Sequence, residues 1–159
     1  MNLAESLPPT ATRVEENTPR ELNAAIRARD DAGLMRLEEG EAAQVAARLA
    51  QLDREWDIER ALQTNAAWFA LGGLALGVFW RRPFLLLPAA VFFFFGQHAL
   101  QGWCPPVALL RRLGVRTQRE IERERFALKA LRGDFDSVPG AGRASLSRRV
   151  RAAMHAVDR

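Results

Sequence analysis

The chain has 159 residues, 48% of them hydrophobic and 26% charged, with a net charge of +4, and all but Lys129 of its 23 basic residues are arginine. That length allows one structural unit with tails and excludes two full hydrophobic cores. The single cysteine, Cys104, excludes an intrachain disulfide framework and, unaided, a multi-cysteine metal site, while the basic balance favours phosphate-bearing partners.

Residues 1–17 are polar and interrupted by Pro8 and Pro9, so they read as a flexible arm without the basic start and apolar centre of a secretory signal. Thr18-Pro19-Arg20-Glu21 is a helix start, with Thr18 to cap, Pro19 in the first turn and Glu21 at the reciprocal capping-box position. It opens an N-terminal cytoplasmic helical region over residues 18–60, punctuated by Gly33 and Gly40. Val45, Leu49, Leu52 and Trp56 recur at helical spacing. This apolar stripe packs on a partner, on a second copy or on the chain's own first helix, and the helix carrying it is expected to run on into the next segment.

From Asn65 to Leu110 the only formal charges are Arg81 and Arg82. Two uncharged runs result, Ala61–Trp80 and Phe84–Trp103, each matching the roughly 20 residues that span a hydrocarbon core. Phe92, Phe93, Phe94 and Phe95 present aromatic surface all round the second run. Because Arg81-Arg82-Pro83 leaves room only for a tight turn, residues 61–104 read as a transmembrane hairpin of two antiparallel spans. Arginines concentrate in the flanks, at Arg48, Arg54, Arg60 and from Arg111 onward, which places both termini in the cytoplasm. The fold class is all-α: two spans with cytoplasmic and interfacial helices on both sides.

Gly102-Trp103-Cys104-Pro105-Pro106 ends the second span, since each proline disfavours helix in the residue before it. Residues 105–133 then hold an interfacial helix and a charged cytoplasmic one. Val107–Leu113 is short and amphipathic, suited to lie along the membrane surface, with Gly114 to close it. Thr117-Gln118-Arg119-Glu120 repeats the capping box, and Gly133 terminates the helix that follows. Residues 134–159 form a linker around Pro139-Gly140 and a basic amphipathic helix with Leu146, Val150, Ala153 and Val157 on one face. Arg111, Arg112, Arg116, Arg148, Arg149 and Arg151 are the candidates for contact with anionic lipid head groups. Nucleic acid is not an expected partner, because no aromatic residues are interleaved and Glu120, Glu122 and Glu124 dilute the patch.

Ala66, Ala70, Gly73 and Gly77 share one face of the first span, a small-residue spacing that lets helix backbones approach closely. That face serves either a homo-oligomer or the second span of the same chain. Gln97, His98 and Gln101 make a polar cluster that either marks an ion or ligand path or simply meets water near the interface. On a continuous helix His98 and Cys104 would point about 120 degrees apart. With no second histidine or carboxylate nearby in sequence, neither a metal site nor a cofactor is expected. No serine-histidine-acid set or glycine-rich phosphate loop is visible either, so the chain is expected not to be an enzyme. Cys104 suits a tight proline-bounded corner, buried under Trp103 and the apolar face of Val107–Leu113, where a thiolate is disfavoured. Its place at the start of the next helix, with Arg111 and Arg112 two turns on, is the feature that favours reactivity.

From Glu59-Arg60-Ala61-Leu62-Gln63 through Gly102-Trp103-Cys104-Pro105-Pro106 to Leu113-Gly114-Val115-Arg116-Thr117, the chain resembles the YgaP-like inner-membrane domain. That bacterial family is built on a two-helix hairpin followed by a Gly-x-Cys-Pro motif. The resemblance covers about sixty residues and implies a double-spanning protein of the bacterial inner membrane. Some relatives carry a rhodanese domain ahead of the hairpin. Nothing before Glu59 resembles one, and no cysteine lies N-terminal of the hairpin to carry a persulfide. The expectation is a non-enzymatic accessory or assembly protein, homo-oligomeric or a small subunit of a larger membrane complex. The competing class is a sulfur- or redox-handling membrane protein using Cys104.

Overall fold

The computed structural model describes residues 7–37 and 42–158, which are all-helical with no strand among them. Residues 1–6 of the expected arm, and Gly40, lie outside the described residues. The chain divides into two compact units, one formed by Met1–Asp30 with Glu55–Ile121 and the other by Asp31–Arg54 with Glu122–Arg159.

The stretch read as an arm contains a helical turn, α1 (Arg13–Glu16), and is followed by α2 (Arg20–Met35), which lies in the first unit as far as Asp30. The Thr18 hydroxyl donates back to the Val14 carbonyl at 2.7 Å, so it closes α1. The next helix of this unit, numbered α4 (Ile58–Phe79), starts afresh and is not a continuation of the preceding charged helix. Its N-cap is Asp57, whose carboxylate accepts from the Arg60 N–H at 2.7 Å, satisfying one of the helix's unpaired donors. A 3-10 turn over Arg82–Leu85, with Pro83 near its start, leads into α5 (Leu86–Gln101), which packs along α4. Gly102 ends α5 in the left-handed region at φ 75°, and its N–H returns to the His98 carbonyl at 2.7 Å. Cys104 is extended and opens α6 (Pro105–Arg112), where the two prolines occupy positions whose N–H groups have no helical partner.

α4 and the segment Arg82–Gln101 are each long and apolar enough to cross a membrane, yet only 22% and 6% of their apolar stretches are buried. A helix in a soluble core would be mostly covered. Trp68, Val78, Phe79, Leu86, Phe92 and Phe93 are all exposed. The buried core sits at one end of the pair, where Val14, Ile58, Leu62, Cys104 and Val107 meet and Phe95, Leu110 and Val115 pack against them.

In the second unit, α3 (Ala42–Leu52) buries Leu49 and Leu52 as its stripe requires, but it stops there. Trp56 is not on that stripe: it is 48% exposed, in the first unit, with the Arg60 guanidinium 4.6 Å from its ring centroid. α7 (Gln118–Leu131) contributes Glu124, which takes a two-pronged ion pair from Arg48 at 2.7 and 3.0 Å. α7 ends where expected, with Gly133 at φ 82°. In α8 (Leu146–Asp158), Ala156 is fully buried and the Val157 carbonyl accepts from Lys129 Nζ at 2.7 Å.

Candidate functional site

α4 begins at the end of the pair where α5 finishes, so the second residue of α4 meets the last turn of α5. Glu59 is that residue. Its carboxylate faces His98, with Nε2 3.0 Å from Oε2 and 3.2 Å from Oε1, across 39 residues of sequence. An ionised carboxylate only accepts, so Nε2 carries a proton here. Arg13, on α1, donates to Glu59 Oε1 at 2.8 Å and fixes the carboxylate from the other side. Cys104 is buried in the core cluster at this same end of the pair. The His98 Nδ1 atom is buried and has no hydrogen-bond partner. His98 and Cys104 are each 1% exposed to water.

The angle of about 120 degrees expected between His98 and Cys104 does not apply, because no single helix carries both residues. That expectation needs one helix running through both residues, whereas Gly102 stops α5 one turn after His98 and the backbone at Cys104 is extended. Arg13, Glu59 and His98 thus form a chain of cation, carboxylate and imidazole, with the Cys104 thiol buried at the same end of the pair. A carboxylate that orients an imidazole, and an imidazole that can take a thiol proton, are the parts of an activated cysteine nucleophile. Among the described residues no group of three His, Cys, Asp or Glu side chains is placed to hold a metal ion. Cys104 also lines an apolar cavity of ≈ 240 Å³ with Leu62, Ala66, Val91, Phe95 and Pro106. A larger apolar groove of ≈ 740 Å³ between α4 and α5 shares Ala66 and Phe95 with it.

The remaining sequence candidates separate. Gln97 is half-buried and Gln101 exposed; the Gln101 carbonyl accepts from Asn17 at 2.8 Å. Of the helix-terminating motif, Gly102 and Cys104 are buried, whereas Trp103, Pro105 and Pro106 are exposed. Gly73 and Gly77 are buried against the chain's own second apolar segment. A Cβ on Gly73 would stand 2.6 Å from Pro88 Cδ, and one on Gly77 2.6 Å from Leu85 Cγ. Ala70 is buried on the same face and Ala66 half-buried.

Two of the six candidate head-group arginines are corrected outright. Arg111 and Arg116 are 1% exposed. Arg111 donates to both Glu120 oxygens at 2.6 and 2.8 Å and to the Asn23 amide oxygen at 2.7 Å. Arg116 binds Glu55 at 2.6 and 2.7 Å and Asp30 at 3.1 Å. Buried guanidinium is tolerated only with such partners, and these leave no face for a lipid phosphate. α6 accordingly turns Arg111 inward and leaves Leu109 and Leu113 exposed, the reverse of a helix lying with its leucines covered by its own protein. Arg112, Arg148 and Arg151 are exposed, and Arg149 is half-buried, donating to the Pro139 carbonyl at 3.1 Å.

Glu59 and Arg13 have no local signature. Glu59 is the last carboxylate before a long acid-free stretch, the one hint available in the sequence. Comparison with protein-family models, curated proteins and solved structures finds no match.

Proposed function

We propose that this chain is a double-spanning protein of the bacterial inner membrane, a helical hairpin with both termini in the cytoplasm, that works through the thiol of Cys104. The membrane part of this reading is supported by the exposed apolar flanks of α4 and α5. In water such flanks cost roughly 25 cal/mol per Å², whereas lipid removes that cost. The arginine-rich flanks of the spans favour cytoplasmic termini, and the Gly-x-Cys-Pro motif supports kinship with the YgaP-like domain. The thiol part rests on one observation, the burial of Cys104 at the end of the helix pair where Glu59 orients the buried His98 imidazole. Sulfur or redox handling is therefore preferred over the purely accessory role. The test is alkylation of Cys104 by iodoacetamide in inverted membrane vesicles. Fast labelling that His98→Gln slows about a hundredfold, in a protein retained by alkaline carbonate extraction, supports the reading. Slow labelling indifferent to His98 refutes it.

A second reading, an accessory or assembly element in a homo-oligomer or larger membrane complex, is favoured by α8. Its Leu146, Val150, Met154 and Val157 form an exposed apolar stripe. Arg148 and Arg151 are exposed on the same helix, a pattern suited to an anionic lipid surface or a protein partner. Cross-linking in native membranes, followed by identification of the adducts to α8, tests it.

A further inference from the structure

We infer that α8 docks on an anionic lipid surface, with Leu146, Val150, Met154 and Val157 entering the interface and Arg151 held among lipid phosphates. The inference rests on the reading of the chain as a membrane-spanning protein, and it names the partner of the α8 stripe. At about 100° per residue these four side chains fall within one narrow sector of the helix, and all four are exposed. A different face holds α8 in place: Ala152 and Ala153 are half-buried and Ala156 is fully buried. Lys129 Nζ donates to the Val157 carbonyl at 2.7 Å, and Arg149 Nε to the Pro139 carbonyl at 3.1 Å. The stripe is therefore formed before any partner arrives. Docking orders no new helix, a cost that an isolated amphipathic peptide has to meet at a bilayer.

Charge selects the partner. From Ser137 to Val157 the sequence holds four arginines and no carboxylate. Elsewhere in the same unit Arg48, Arg123, Arg125 and Arg132 are paired with Glu124, Asp31, Asp53 and Asp134 respectively. Arg143, Arg148, Arg149 and Arg151 have no carboxylate partner among the described residues. A second copy of α8 laid along the stripe would set these cations against one another, and like charges brought together oppose such a dimer. Nor does the stripe hold an aromatic side chain of the kind that anchors protein interfaces. An anionic bilayer needs no matching pocket, covers the aliphatic side chains and supplies the missing negative charge. The apolar hairpin in the same chain keeps α8 within tether length of such a surface. Arg151 lies about 100° round the helix from the middle of the stripe, where its side chain reaches head groups alongside, whereas Arg148 lies on the far side.

The experiment places the photo-crosslinking residue benzoylphenylalanine at Val150, or at the exposed His155 on the far side of α8, in the full chain. The chain is held in nanodiscs of phosphatidylcholine, with or without phosphatidylglycerol. The expected result is phospholipid adducts at position 150 that are several-fold more abundant with phosphatidylglycerol, decline in high salt and are scarce at position 155. Arg151→Gln lowers their yield about fivefold, the equivalent of about 1 kcal/mol for one arginine at an anionic surface, and Arg148→Gln lowers it less. Equal lipid yields at the two positions, or a yield at position 150 indifferent to phosphatidylglycerol, overturn the inference and leave the membrane-spanning reading standing. Adducts at position 150 that join two copies of the chain, or that in native membranes join it to another protein, overturn it in favour of the accessory role. Release of the unsubstituted chain from native membranes by alkaline carbonate overturns the spanning reading, and the inference with it.

Discussion

Gly102 lies directly against the backbone of Arg13, so close that a Cβ at Gly102 would sit 2.5 Å from the Arg13 carbonyl carbon and oxygen. The contact seats α1 on the end of α5 and brings the Arg13 guanidinium to Glu59. Gly102→Ala is expected to cost about 1–2 kcal/mol for the left-handed backbone alone, plus displacement of α1. Thermal unfolding in detergent should show the loss. Iodoacetamide labelling of Cys104 should change in the same variant, because Glu59 loses one of its two tethers; unchanged stability and labelling would show that α1 does not need this contact.

Arg111 and Arg112 are neighbours in sequence with opposite fates. Arg111→Ala strands the Glu120 carboxylate in a buried site and is expected to cost about 3–5 kcal/mol, whereas Arg112→Ala, at an exposed position, should stay within about 0.5 kcal/mol of the parent. Replacing both partners, Arg111→Met with Glu120→Leu, should recover much of the loss. Denaturant titration of helicity in detergent distinguishes the three; equal effects of the two single alanines would contradict the burial of Arg111.

Acid stability should depend on Glu120. Burial pushes its carboxyl up, but the Arg111 guanidinium and the Thr117 N–H outweigh burial and hold it below the ordinary glutamate value of 4.5. A folded value below the unfolded one means that the stabilisation is complete above that pH and is lost as pH falls through the folded value. Glu120→Gln should therefore be less stable near neutrality and show a flatter decline below pH 4.5. Melting temperatures measured from neutral to strongly acidic pH check the slope.

Gly73 and Gly77 face Leu85, Leu87 and Pro88 of the same chain. Gly73→Leu and Gly77→Leu should overpack the α4–α5 contact, costing about 1–3 kcal/mol or more, and lower the amount of protein in the membrane. Were the face an oligomer contact instead, the variants would accumulate normally and lose only their self-cross-linking. Cross-linking yield set against membrane level separates the two outcomes.

What could be read along the chain was whatever depends on residues near each other in sequence. The two apolar runs, the capping box in which Thr117 N–H meets Glu120 at 2.8 Å and Glu120 N–H meets Thr117 Oγ1 at 3.2 Å, and the stops at Gly102 and Gly133 all belong here. Hydropathy, caps and left-handed turns act within a turn or two of backbone, so composition and spacing suffice. Packing decided the rest. Which side of α6 is covered, and therefore that Arg111 serves Glu120 and no lipid, depends on a partner chain segment that periodicity cannot locate. The glycine face fitted two partners equally until Pro88 and Leu85 were found against it. The thiol site is the clearest case: Glu59 reaches His98 across 39 residues and Arg13 reaches Glu59 across 46, and no local pattern records such pairings. His98 and Cys104 do not lie on a single helix either, because the left-handed Gly102 ends α5 between them.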